Sequence, residues 1–203
     1  MMVTTTAGPG LDTVERDTDD QTLMLQFQQG DARAFETLFA RHKSGLYRFV
    51  LKLSLDPALA EDISQHAWMR LIEVAEAGRY YARENASFQT YLYTLARNKY
   101  FDEYRRDQGV ARVAPAEAVE QEFRDELVQT PEELVSRRQD HNRLMRALRD
   151  LPPDQREVVV LWMQGMELVE VARITGDSWH TIVSRKRYAL AKLKRLLDPE
   201  PVH

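Results

Sequence analysis

Near the C-terminal end, Arg185, Lys186, Arg187, Lys192, Lys194 and Arg195 stand within GDSWHTIVSRKRYALAKLKRLL (176–197), with no acidic side chain after Asp177, in a chain of formal net charge -4. Clustered cations of this kind neutralise phosphates. The spacing around them adds geometry: Ala172 lies four residues before Gly176, and Ile182 six after it. A helix-turn-helix needs a small residue where its helices cross, a turn residue that tolerates positive φ, and an apolar residue that locks the second helix onto the first. In such a second helix Ile182, Ala189, Leu193 and Leu196 face inward, while Thr181, Ser184, Arg185 and Arg187 are predicted to point toward base edges and phosphates of duplex DNA. A solvated basic face, or cations complementing a helix macrodipole, would use the same residues without DNA. The alanine, glycine and isoleucine spacing is what favours the DNA reading.

Patterns for bond-making chemistry are missing. His42, His66, His141, His180 and His203 fall on separate segments without metal-ligand spacing, and no glycine-rich phosphate loop or Ser, His, Asp constellation is visible. No enzymatic activity, metal or cofactor is expected. The chain has no Cys, which excludes disulfides, thiolate metal sites and cysteine nucleophiles and points to a reducing cytoplasm. The start, MMVTTTAGPGLDTVERDTDD, lacks the basic and apolar parts of a signal peptide, and no apolar run approaches the roughly 18 residues of a membrane span. A soluble, cytoplasmic protein without membrane insertion is expected.

The elements that must hold these residues read as helices throughout. A 43% hydrophobic fraction with 8 Gly and 8 Pro in 203 residues suits a packed, helix-rich chain. Residues 1–19 are polar and aperiodic, a flexible tail. Leu23, Met24 and Phe27 then form a short stripe, and Asp31 can cap a longer helix carrying Phe35, Leu38, Phe39, His42, Leu46, Phe49, Val50 and Leu53 on its inner side. Asp56 and Pro57 start a third helix, with Ile63, Ala67, Leu71, Val74 and Ala75 recurring until Gly78, and its early turns expose Glu61 and Asp62. RYYARENAS (79–87) reads as a loop, and Ser87 as the cap of a helix carrying Phe88, Tyr91, Leu92, Leu95 and Tyr104 that ends in YRRD. Glu117, Glu120, Glu122, Asp125, Glu126, Glu132 and Glu133 then mark an acidic linker.

Beyond it, Thr130, Pro131 and Glu133 supply a capping box, and Leu134, His141, Leu144, Met145 and Leu148 a buried side. LPPD separates that helix from one burying Val158, Val159, Leu161 and Trp162 and ended by Gly165; two more helices follow, Glu167 to Thr175 and about Ser178 to Leu197. There is no strand-like alternation. The predicted fold is all-α: two small helical bundle domains, 20–106 and 131–198, joined by the acidic linker 107–130, with tails at 1–19 and 199–203.

With these segments in place, the chain resembles the extracytoplasmic-function group of bacterial sigma factors. LPPDQREVVVLWMQGMELVEVARITG looks like the family's fourth conserved region, and TIVSR is similar to its Gly-Thr-Val-Lys-Ser-Arg. FETLFARHKSGLYRFVLKL, AEDISQHAW and FQTYLYTLARNKYFDEYRR appear in the family's order and spacing, so the likeness runs from about Asp20 to Leu197. The resemblance implies a promoter-specificity subunit that binds core RNA polymerase, recognises the minus-thirty-five and minus-ten promoter elements in duplex and melted DNA, and initiates transcription. It implies that Glu61, Asp62 and Gln65 meet the polymerase. The loop from Arg79 and the helix after it would hold the melted strand, through Tyr80, Tyr81, Asn85, Arg97, Asn98, Lys99, Arg105 and Arg106. Aromatic and amide groups suit a flipped base, and cations suit a separated backbone. The acidic linker would thread through polymerase over surfaces that later hold RNA. An anti-sigma factor is a further partner such proteins often have.

Departures from the family pattern fall at particular residues. Leu59 stands where a further acid is common, and Tyr91 where tryptophan is. His180 replaces a glycine, Val183 a basic residue and Tyr188 an arginine in the recognition helix, where family members choose their DNA sequence, so an unusual upstream element is expected. Ser64, beside the acidic pair, is a candidate for a phosphate that alters the polymerase contact. The alternative is a free helix-turn-helix regulator whose N-terminal bundle senses a ligand or dimerises. It would bind duplex DNA without polymerase and would have no need of a second nucleic-acid surface on the helix from Phe88 to Arg106.

Overall fold

The computed structural model describes residues 18–81, 86–107 and 131–197. The tail before them, Asn85, most of the acidic linker, the Thr130 cap and the last six residues lie outside the described residues, as do the side chains of Glu133 and Leu134. Among the described residues eight helices follow in order: α1 (Asp20–Gln28), α2 (Ala32–Ser54), α3 (Pro57–Glu76), α4 (Phe88–Asp107), α5 (Pro131–Arg149), α6 (Pro153–Met163), α7 (Leu168–Thr175) and α8 (Trp179–Leu197). The fold is all-α, as expected.

Local chemistry sets the helix starts. Asp31 accepts from the Arg33 N–H, Asp56 from Ala58 and Leu59, and the Ser87 hydroxyl from Thr90 at 3.1 Å. Each satisfies backbone donors that the first turn leaves without partners. Glu167 and Glu170 form a capping box at the start of α7, so that helix begins one residue later than its pattern suggested.

In the N-terminal helices the core gathers Leu38, Leu46, Phe49 and Leu53 of α2, Ile63, Ala67 and Leu71 of α3, and Phe88, Leu92, Tyr93 and Ala96 of α4. The Phe49 and Tyr93 rings stack with centroids 4.9 Å apart. Gly45 permits this approach: a Cβ there would meet the Tyr93 hydroxyl at 3.0 Å. The same core continues through the C-terminal helices, joining Leu148 and Leu151 to Val158, Val159 and Leu161 of α6, Val171 and Ile174 of α7, and Ile182, Ala189 and Leu193 of α8.

Several stripe assignments are corrected. Phe39, Tyr104, Trp162 and Leu196 are exposed, at the outer edge of their helices' apolar faces. Phe39 still packs edge-on against Trp68, with centroids 5.0 Å apart, and Trp162 carries the Lys186 ammonium over its ring at 3.9 Å. Tyr93 and Tyr100, absent from the expected stripe of α4, are buried.

The N-terminal and C-terminal helices pack together in one continuous core. From Arg156 to Leu161, α6 is buried on every side, because α8 covers one face while α2 covers another. A helix buried all round must be enclosed by more than its own small bundle. Helix α7 lies against α4 in the same interface.

Candidate nucleic-acid and polymerase interfaces

Helix α3 presents Glu61, Asp62 and Gln65 to solvent, and the Gln65 amide donates to Glu61 at 3.3 Å. None of the first-turn residues of α3 is acidic, so the acids lie beyond the turn where a helix dipole acts. Dipole complementation therefore does not account for them. Met69, one turn further on, is 62% exposed. Ser64 does not share this face. It is buried, with its hydroxyl donating to the Ala60 carbonyl at 2.7 Å, and a kinase could not reach it without unfolding the turn.

A cavity of about 500 Å³ opens where the loop after α3 meets α4. It is lined by Arg79, Tyr80, Tyr81, Ser87, Thr90, Tyr91 and Thr94, and by Arg173 of α7. Tyr80 is buried against the edge of Tyr91, with centroids 5.5 Å apart, and its N–H donates to the Gln28 side-chain oxygen at 2.9 Å. Burial pushes the Tyr80 phenol up to about 12, with nearby acids adding to the effect, so it is a neutral hydroxyl at any physiological pH. Tyr81 is 76% exposed at the rim. The expected site residues thus divide, with Tyr80 as floor and Tyr81 as lip.

Along α4 the cations are held by acids one turn away. Lys99 and Arg106 both reach Glu103, at 2.7 and 3.1 Å, and Arg105 reaches Asp102 at 2.6 Å. The Lys99 hydrogen bond is the main reason the Glu103 carboxyl sits below its ordinary value. Such surface pairs contribute about 0–1 kcal/mol and yield readily to a phosphate. Asn98 is exposed, whereas Arg97 turns inward: its Nε donates to Glu157 of α6 at 2.6 Å. Burial pushes the Glu157 carboxyl up, and the Arg97 hydrogen bond brings it only part of the way back.

The helix-turn-helix forms at the expected residues. Gly176 ends α7 at φ 78°, and Ile182 is fully buried. The Ser178 hydroxyl accepts from the Thr181 N–H at 3.2 Å and shares a 2.9 Å hydrogen bond with the Thr181 hydroxyl. Within the basic run the cations play different parts. Arg185 pairs with Asp154 at the start of α6, at 3.1 Å, and with Asp177 in the turn. Lys192 caps the Asp150 carbonyl. Arg187, Lys194 and Arg195 remain exposed, and the Arg187 guanidinium lies 5.0 Å over the half-exposed Tyr188 ring. His180 is exposed beside Trp179, ring centroids 5.2 Å apart, while Val183 and Ser184 are half-buried.

Trp179 and Arg173 were not among the expected site residues. Trp179 is 53% exposed at the first turn of α8, and its place directly after the Ser178 cap was a usable signal. Arg173 carried none, because only the docking of α7 brings it to the cavity.

Comparison with known proteins decides the family. Residues 38–110 match the model for Sigma-70 region 2, and residues 147–195 that for Sigma-70, region 4. The chain belongs to the extracytoplasmic-function sigma factors. It is 30% identical over 181 residues to the ECF RNA polymerase sigma factor SigM of Mycobacterium tuberculosis, covering 88% of this chain and 84% of that one. It is 31% identical to the RNA polymerase sigma factor CarQ of Myxococcus xanthus, covering 86% and 95%. The ECF RNA polymerase sigma factor BldN of Streptomyces coelicolor is 28% identical, and there the alignment spans 66% of the longer relative. Two solved structures share the fold: CnrH with the cytosolic domain of CnrY, at TM-score 0.65, 24% identity and 89% and 98% coverage, and RpoE with the anti-sigma factor NepR from Bartonella quintana, at 0.63, 23%, and 83% and 99%. As a sigma factor it is a DNA-binding subunit of transcription initiation that works with core RNA polymerase. No helix among the described residues is long and apolar enough to cross a membrane, and no group of His, Asp or Glu there could hold a metal ion.

Proposed function

We propose that this sigma factor acts through three surfaces in a division of labour. Glu61, Asp62 and Gln65 meet a basic surface of core polymerase. The cavity behind Tyr81, with the α4 cations and Asn98, takes the melted strand, an unstacked base entering against Tyr80 and Tyr91 while Lys99, Arg105 and Arg106 exchange their carboxylates for phosphates. His180, Thr181, Tyr188 and Arg187 meet the upstream duplex, with Trp179 added to them. Arg185 is a positioning residue there, because its guanidinium is already committed to Asp154 and Asp177. Val183 and Ser184 line the same helix closer to the core.

In this reading 20–106 and 131–198 are the working modules and 107–130 is their tether. The sigma factor is not itself an enzyme and works in the cytoplasm, where its template and polymerase are. The known complexes of CnrH with CnrY and RpoE with NepR make an anti-sigma factor a partner to seek. The observation that carries the reading is the exposed acidic patch of α3, placed past the reach of the helix dipole, where Glu61 accepts only a neutral amide N–H, that of Gln65, among its described hydrogen bonds.

Run-off transcription over fragments of the host genome, with purified core polymerase, tests it. Specific starts sharing an upstream sequence are expected, and Glu61→Arg with Asp62→Arg should abolish them without altering thermal stability. If the protein alone shifts duplex DNA and adds no polymerase-dependent starts, the free-regulator account replaces this one.

A further inference from the structure

A recognition helix offers its first turns to base edges, and guanine is read there by an arginine or lysine that meets O6 and N7 together. The two cations in the first two turns of α8 are both engaged elsewhere. Arg185 is held by Asp154 at 3.1 Å and by Asp177, and Lys186 stands 3.9 Å over the Trp162 ring. Arg187 is exposed but begins the third turn. Its guanidinium lies across the Tyr188 ring and donates to that residue's hydroxyl at 3.3 Å, a placement that suits a phosphate beyond the base-reading turns.

What those first two turns do present is largely apolar. Trp179 is 53% exposed, with His180 set edge-on to it. The Thr181 hydroxyl is engaged with that of Ser178 at 2.9 Å, which leaves its methyl to meet a base, and Val183 is half-buried behind them. The polar groups that remain discriminate poorly. His180 can make one hydrogen bond to a base, and N7 accepts one from adenine as readily as from guanine. The Ser184 hydroxyl serves either base as well.

The apolar group that a base edge presents in the major groove is the C5 methyl of thymine. Burying it against an indole removes both surfaces from water. We propose that Trp179 is a specificity-determining residue that reads thymine methyls in the upstream element, so that the base pairs under the first two turns of α8 are A·T pairs met by apolar contact, with no guanine held by a bidentate cation. The proposal rests on the reading that α8 meets the upstream duplex.

The test alters the DNA and so leaves the fold of the protein untouched. Holoenzyme assembled from purified core polymerase and the full chain is titrated against a labelled promoter mapped by run-off transcription, and anisotropy reports binding. Replacing one upstream thymine at a time by deoxyuridine removes a methyl and keeps every hydrogen bond, whereas 7-deazaguanine removes the N7 acceptor of one guanine. At least one deoxyuridine should weaken binding roughly three- to fourfold, the effect of one buried methyl, while no 7-deazaguanine changes it by as much as about twofold. With Trp179→Ala, binding to the unmodified promoter should fall and that deoxyuridine penalty should disappear.

A 7-deazaguanine loss of about fivefold or more, with deoxyuridine harmless, would overturn the proposal in favour of a guanine-reading cation. Insensitivity to both analogues would overturn it in favour of groove shape, and a deoxyuridine penalty that survives Trp179→Ala would give the methyl to another residue. The α8 reading is tested separately by Arg187→Ala, which should weaken binding evenly across all the duplexes and lower the salt slope by about one. If it does so while the deoxyuridine series is flat, α8 stands on the duplex and the thymine reading fails. If neither Arg187→Ala nor Trp179→Ala alters binding, α8 does not meet the upstream duplex and both fail.

Discussion

Replacing Arg185 with alanine separates a residue that positions the recognition helix from one that reads bases. Its guanidinium bridges Asp154 and Asp177, so three elements, the start of α6, the turn and α8, meet at one side chain. A shielded charge-assisted hydrogen bond contributes about 1.5–3 kcal/mol, and an exposed ion pair about 0.2–1 kcal/mol. The Arg185 side chain is 25% exposed, but Asp154 is 49% and Asp177 31%, so solvent screening brings both pairs toward the lower range. Together they should amount to about 1–2 kcal/mol. Melting of the docked chain as one unit converts this to a Tm drop of about 2–8 °C. Thermal unfolding followed by circular dichroism, for Arg185→Ala, Asp177→Ala and the double variant, measures it. The double variant should lose less than the sum of the singles by about 0.5 kcal/mol or more. Additive losses would show that the Arg185–Asp177 pair contributes nothing as a pair, and an Arg185→Ala protein that melts like the wild type yet no longer binds promoter DNA would show that Arg185 reads DNA and that the ion pairs are incidental.

Trp179→Ala should weaken upstream-promoter binding by duplex gel shift with polymerase present while leaving unfolding stability within about 0.5 kcal/mol of wild type, because the ring is more than half exposed. Gly176→Ala should destabilise the second domain by about 1–2 kcal/mol in urea unfolding; nothing lies within 4 Å of the new methyl, so the cost is the left-handed backbone at φ +78° alone. Burial, with Lys52 nearby, holds the His141 imidazole below its ordinary 6.5. A base whose folded pKa is depressed is kept neutral by the fold, so the unfolded chain takes up the proton first. Stability should therefore decline as pH falls below about 6.5 and stop declining, for this group, below the depressed folded value. His141→Gln should flatten that slope in chemical denaturation between neutral and mildly acidic pH, and an unchanged slope would assign the effect to other groups.

Much of the fold was legible in the chain because it depends on neighbours a few residues apart. The caps at Asp31, Asp56 and Ser87, the stop at Gly176 and the inward Ile182 follow from backbone hydrogen-bond needs and helical spacing, and each stands where the pattern put it. The same locality explains the errors. A stripe states which way a residue faces and not how far the partner helix extends, so Phe39, Tyr104, Trp162 and Leu196 were assigned to cores that end short of them.

The basic run shows the limit most clearly. Its charge could be counted along the chain, but Arg185 and Lys192 are bound within the second domain, while Arg187, Lys194 and Arg195 face solvent. That sorting depends on Asp154 and on the Asp150 carbonyl, both in other elements. Arg97 is the extreme case. Its type and place on α4 announced a cation for a nucleic-acid backbone, yet its partner is a carboxylate 60 residues away that burial has taken out of water. By itself the sequence determined the helices, most of their ends and the family, all of which rest on short-range spacing. Only the tertiary structure decided which charges remain available, because a pairing across two domains is chosen by desolvation and contact geometry that no local pattern encodes.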